Sequence, residues 1–280
     1  MKEKKGKKGI PWHPAFVVAL KLTLIDYDDE LDYKLEHPLN TEPLEIDVLV
    51  VKKHSNTVIK KQIAEIFRQE NIIEYKSPQK SLSVNEFHRA FARTHLHKAI
   101  DNVKVADLTL SFVVTTYPRV LFRHLRGTLG YTVEERHPGI YVVTGAMIPV
   151  QILISGKLSE EENTWIRNLN GNLPEKNLDW LSRQEKKYGS RLDLSAYQNA
   201  VLAANQEMLK KMWEDKQMFT AKTMEIMEKC GLGAKLRHEG IEEGKLEAAR
   251  AMFAEGDSLA KISRVTKIPA KTLKKKLSVQ

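Results

Sequence analysis

The sequence predicts an α/β protein in which a mixed sheet is flanked by helices and followed by a helical C-terminal extension. Three observations carry that expectation. Runs rich in β-branched residues alternate with stretches of helical spacing through the first 158 residues, and from Ser159 onward the spacing is helical. The composition, 42% apolar and 29% charged over 280 residues, is that of a folded globular chain. No repeat with a period of about 20–50 residues emerges, which sets solenoid architectures aside.

The elements follow in order. Pro14 to Tyr27 reads as a helix that is apolar over most of its surface, with Pro14 suited to a first turn. An acidic loop, DDELD, comes next. Leu44 to Val51 (LEIDVLVV) and Asn71 to Lys76 (NIIEYK) are strands, separated by the turn-prone KKHSN and a segment ending in IAEIFRQE. Ser83 and Glu86 form a capping box, and Phe87, Ala90, Phe91 and Thr94 continue the helix to about Lys98. Leu108 to Thr116 is a strand stopped before Pro118, and VLFRHLR is a short helix.

Gly139 to Gly156 carries no charge and reaches the length at which a membrane span is considered. Gly145 and Pro149 break it and β-branched residues dominate, so two strands are expected instead. Ser159 and Glu162 make a second capping box before a helix with Trp165, Ile166 and Leu169 on one side. Ala196 to about Lys229 is a Met-rich long helix or helix pair, a packing surface able to mediate a homodimer. Gly240, Gly244 and Gly256 punctuate the remainder. The resulting organisation is a basic disordered start at 1–10, an α/β core at 11–158, a helical region at 159–240 and a basic helical tail at 241–280.

Charge and cysteine usage narrow the function classes. The single cysteine, Cys230, excludes an intramolecular disulfide and any multi-cysteine zinc site. Ala15 to Leu20 is interrupted by Lys21 and is too short for a secretory core, so a cytoplasmic protein is expected. Lys and Arg total 45 against 36 Asp and Glu, a net charge of +9. Residues 1–8 hold +4 and residues 257–280 hold +6, so everything between sums to −1. Basic ends on a neutral body suit a polyanion, because lysines near phosphates release condensed counterions.

The strand period places Asp47 with Glu45, Leu49 and Val51 on one face of an otherwise apolar strand. It places Ile72, Glu74 and Lys76 together on the next. Asp47 and Glu74 are oxygen donors suited to a hard divalent cation such as Mg²⁺, and Lys76 between two carboxylates is expected to stay an ammonium group. Acid-x-Lys occurs six times in the chain, and Glu74/Lys76 is set apart by Ile72-Ile73 before it and a capped helix after it. The plainer reading of the triplet is a charge pair at a strand end. His88, His95 and His97 share a helix without metal-binding spacing and are expected to face solvent or nucleic acid.

In the tail, Leu259, Ile262, Val265, Ile268, Leu273 and Leu277 can close a small helix-turn-helix. Pro269 would start its second helix, with Lys271, Lys274 and Lys275 exposed to DNA.

The runs LEIDVLVVKK, IAEIFRQENIIEYKSP and SLSVNEFHRAFARTHLHKA, with the early PWHPAF, resemble the PD-(D/E)XK nuclease family of transposases related to recombination-promoting nucleases. The tail segment EGIEEGKLEAARAMFAEGDSLAKIS is similar to C-terminal tails of those bacterial proteins. The resemblance implies a restriction-endonuclease-like core that cleaves DNA with Mg²⁺, Mn²⁺ being a substitute. It implies Asp47 as the motif aspartate, Glu74 and Lys76 as the (D/E)xK pair, and Tyr75 as the residue whose backbone carbonyl meets the metal. Ile46 stands where a literal PD dipeptide has proline, and Asp26 and Glu30 are the candidates for a first-helix acid. A noncatalytic DNA-binding or protein-interaction member of the same fold is the alternative.

Overall fold

The computed structural model describes residues 10–38, 45–54, 56–174, 176–189, 192–209 and 232–277. The chain divides into two compact units, Met1–Gln206 and Glu207–Gln280. In the first, α1 (Trp12–Thr23) is followed by β1 (Leu31–Pro38), β2 (Glu45–Lys52), β3 (Glu70–Tyr75), α2 (Val84–Ile100) and β4 (Leu108–Val114). Next come α3 (Arg119–Gly127), β5 (Thr132–His137), β6 (Ile140–Thr144) and β7 (Val150–Ile154). The helices α4 (Glu160–Arg167), α5 (Lys176–Tyr188) and α6 (Ser195–Ala204) close the unit.

The seven strands form one mixed sheet in the order β1-β2-β3-β4-β7-β6-β5. β3, β4 and β7 run parallel in the middle, and antiparallel pairs extend the sheet on both sides. The middle strands are buried on both faces, which is why they read as near-continuous apolar runs. Alternation along β3 separates the two helical layers. Tyr75 stacks on Phe16 of α1 with ring centroids 4.4 Å apart, while Glu74 bonds to Arg93 of α2. So α1 covers one face and α2 the other. α3 lies beside α2, sharing a core in which Phe87, Leu121 and Phe122 meet Leu110, Phe112 and Ile152. α4 and α6 pack against α1.

Two buried amides pin the central register. Asn71 donates to the carbonyls of Val50 and Arg68 and accepts from the Thr109 hydroxyl at 2.7 Å and the Arg68 N–H at 2.7 Å. Gln151 donates to the Ile63 carbonyl and the Ser111 hydroxyl. Each ties neighbouring strands together through groups that would be costly to leave unpaired.

Several expectations need correction. The first helix ends at Thr23, and residues 25–30 form a 3₁₀ turn. Where a loop was expected to continue, Leu31 begins an edge strand, its register running from Leu31↔Lys52 to Pro38↔Glu45. β5 (TVEERH) is likewise a charged edge strand. Both owe their extended form to a hydrogen-bonded neighbour, and charge suits a strand exposed along one edge. The Ser159 capping box does not form, because Glu162 turns instead to the backbone N–H of Gln62, 3.3 Å away, and Asn163 breaks the helical dihedrals. The Ser83 box forms as expected, and the uncharged 139–156 run is indeed two strands. Among the described residues no helix is long and apolar enough to cross a membrane. Most of the Met-rich 196–229 stretch, from 210 on, lies outside the described residues, as does Cys230.

In the second unit, α7 (Leu232–Ala254) runs unbroken through Gly240 and Gly244, so these two glycines do not punctuate the chain. Gly256, at φ +89°, does end the helix. α8 (Leu259–Thr266) and α9 (Ala270–Lys276) then pack with α7 around Ala249, Ile262, Ile268 and Leu273. Val265, expected in this core, is 57% exposed. Thr266 is buried in its place, its hydroxyl donating to the Ile262 carbonyl. The turn passes through Lys267 at φ +59°, a left-handed conformation usually given to glycine.

The same Gly→Ala change should have opposite signs at two places. Gly139 turns the β5–β6 hairpin at φ +75°, and a Cβ there would lie 2.8 Å from the Lys157 Cβ and 2.9 Å from the Ile154 carbonyl oxygen. Gly139→Ala should cost at least about 2 kcal/mol in urea unfolding. Gly244 sits inside α7 with open space around it, and Gly244→Ala should stabilise by about 0.5–1 kcal/mol.

Candidate active site

The antiparallel pairing of β2 with β3 matches Val48 to Ile73 and Leu49 to Ile72, so the next position outward sets Asp47 against Glu74. Residues directly opposed across antiparallel strands share a face. Two carboxylates, 27 positions apart in sequence, therefore stand side by side. Asp47 is partly exposed, and its Oδ2 accepts the backbone N–H of Tyr75 at 2.8 Å. Glu74 is 1% exposed. Its Oε2 accepts from Arg93 Nη2 at 2.5 Å, whereas Oε1 is buried without a hydrogen-bond partner.

Burial, reinforced by the Asp47 charge, pushes the Glu74 carboxyl above its ordinary range, with Arg93 and Lys76 opposing. Lys76 lies just past the end of β3. It was expected between Asp47 and Glu74, but its Nζ lies 3.2 Å from Glu86 Oε1. Glu86 also closes the α2 capping box through Ser83. Burial would raise the Glu86 pKa, but the Ser83 N–H and the Lys76 ammonium hold it below the usual value. Tyr75 turns its ring toward α1, and burial pushes its phenol well up, so it stays neutral.

The first-helix acids do not reach this place. Asp26 pairs with Lys61 at 3.5 Å, and Glu30 accepts from the Thr57 hydroxyl at 2.6 Å. The side chains that do reach it are His13, whose Nδ1 is 3.9 Å from Asp47 Oδ1, and Arg93. Arg93 was legible in principle. It follows Glu86 by seven residues, two helical turns, and so shares its face. His13 had no comparable signal, because its neighbour is set by how α1 crosses the sheet. Among the helix histidines, His97 is not solvent-facing. It is 1% exposed and lies 2.6 Å from Glu70 and 2.8 Å from Asp101. Lys271, Lys274 and Lys275 are exposed on α9.

Among the described residues, no group of three His, Cys, Asp or Glu side chains is arranged to hold a metal. Mg²⁺ asks for less, since it keeps several waters and binds through one or two carboxylates. The unpartnered Glu74 Oε1 beside Asp47 fits that demand. Compared with known proteins, the chain matches no family model, no curated protein and no solved structure.

The buried ion pair makes a stability prediction. Glu74 in the folded state holds its proton above the pH at which the unfolded chain releases it, so its contribution to stability declines as pH rises through that window. Without Arg93 the decline should steepen. Arg93→Ala should cost about 2–3 kcal/mol at pH 7, somewhat below a fully buried pair because Arg93 is partly solvated. The cost should shrink near pH 4.5, and the added substitution Glu74→Gln should recover much of it at pH 7. Equal losses at both pH values would contradict the assignment.

Proposed function

We propose that the chain is a divalent-metal-dependent DNA endonuclease of the PD-(D/E)XK type, with a restriction-endonuclease-like core, acting in DNA recombination or mobility. The observation that carries this reading is the pair Asp47 and Glu74 on adjacent strands, with a buried carboxylate oxygen left unsatisfied beside its neighbour's charge. Arg93 satisfies one oxygen of this carboxylate, and the other, costly to bury without a partner, is the one a divalent cation would take.

Asp47 and Glu74, with the backbone carbonyl of Tyr75, would hold Mg²⁺ or Mn²⁺. The ion would supply Lewis acidity toward a phosphate and toward water. The chain's own groups do the rest. The Tyr75 N–H fixes one oxygen of Asp47, leaving the other available, and Arg93 fixes one oxygen of Glu74 in the same way. Lys76, held beside Glu86, would orient phosphate or water. Lys271, Lys274 and Lys275 would supply further contacts to the DNA backbone.

A second reading is a noncatalytic DNA-binding or protein-interaction member of the same fold. It is favoured by the engagement of Glu74 by Arg93 and of Lys76 by Glu86. A plasmid nicking assay with Mg²⁺, Mn²⁺ or EDTA separates the two. Metal-dependent nicking should fall on the order of 100-fold or more in Asp47→Ala and in Lys76→Ala. A wild-type protein that binds plasmid and never cuts it with either metal sinks the nuclease reading.

A further inference from the structure

We propose that the outer surface of α2 and α3 is a docking face for the phosphate backbone of duplex DNA. The proposal rests on the nuclease reading for its choice of partner. From Phe87 to Ile100, and throughout α3, there is no Asp or Glu, yet these two segments carry Arg89, Arg93, Lys98, Arg119, Arg123 and Arg126. The helices lie side by side on one face of the sheet, with His88 Nε2 and His124 Nε2 3.2 Å apart at their seam.

Three of the guanidinium groups are committed to nothing. Arg89, Arg119 and Arg123 are exposed, and among the described residues none has an ion pair or a side-chain hydrogen bond. Other cations of this unit do have partners, Lys53 with Asp32, Lys61 with Asp26 and Arg136 with Glu65. A cluster of unpaired like charges repels itself, so an external anion relieves a cost already present in the free protein. Guanidinium forks match phosphate oxygens in pairs.

The face is continuous with the candidate site. Arg89 sits three residues after Glu86 and four before Arg93, on the flank of α2 whose members bond to Lys76 and Glu74. A backbone lying across Arg119, Arg123 and Arg89 therefore leads to the two carboxylates.

The test uses the full chain and a fluorescently labelled DNA duplex, with anisotropy read in EDTA across a salt series. The variants are Arg89→Gln/Arg119→Gln/Arg123→Gln and, beside it, Lys271→Gln/Lys274→Gln/Lys275→Gln. Loss of three phosphate contacts should weaken binding at least tenfold and flatten the plot of log K against log salt by roughly 2–3, at about 0.9 per contact. The thermal midpoint should hold, since the three side chains bond to nothing in the described fold. Unchanged affinity and slope in the arginine variant overturn the proposal, whether or not the lysine variant loses binding. Equal displacement of the duplex by polyglutamate at matched charge also overturns it, since the face would then read charge alone. A wild type that never cuts, combined with arginine-dependent binding, removes the nuclease reading and leaves this face standing. Cutting that persists with an unaffected arginine variant does the reverse.

Discussion

The register in which β2 pairs with β3 is the constraint on which the candidate site depends. A shift of one residue would move Asp47 to the other face and leave Glu74 opposite an apolar side chain. Asn71 holds that register. Its fully buried amide bonds simultaneously to β2, to β4 and to the turn before β3, and no slipped pairing satisfies all of these groups. A polar side chain in the middle of an apolar strand thus does what apolar packing cannot, because burial alone does not distinguish one register from the next when the flanking residues are all Val, Ile and Leu.

Around the two carboxylates, the molecule balances charge with residues from α2. Arg93 offsets Glu74 directly. Glu86 caps the helix with one oxygen and holds Lys76 with the other. The start of α2 and the position of the candidate catalytic lysine are therefore one arrangement. Moving the helix would move the lysine, which couples the fold of this region to the chemistry proposed for it.

A net charge of −1 between the basic ends suggests a body with no electrostatic character. Folding nevertheless brings together, on the neighbouring helices α2 and α3, two segments that carry six Lys and Arg and no Asp or Glu. The second unit shows the same limit at smaller scale. Its helix-turn-helix residues were readable in sequence, but the third helix that completes their core runs through Gly240 and Gly244, which looked like breaks.

By itself the sequence determined the α/β class, the buried central strands, the capped helix α2 and the two-strand nature of the uncharged 139–156 run. Each of these depends on interactions within about ten residues, or on an apolar period that any suitable partner will bury. Tertiary structure decided the edge strands β1 and β5, the failure of the Ser159 cap, the meeting of Asp47 with Glu74, the pairing of Lys76 with Glu86, and the arrival of His13 and Arg93. All of these arise between residues far apart in sequence, where a hydrogen-bonded neighbour or a competing carboxylate overrides the local preference.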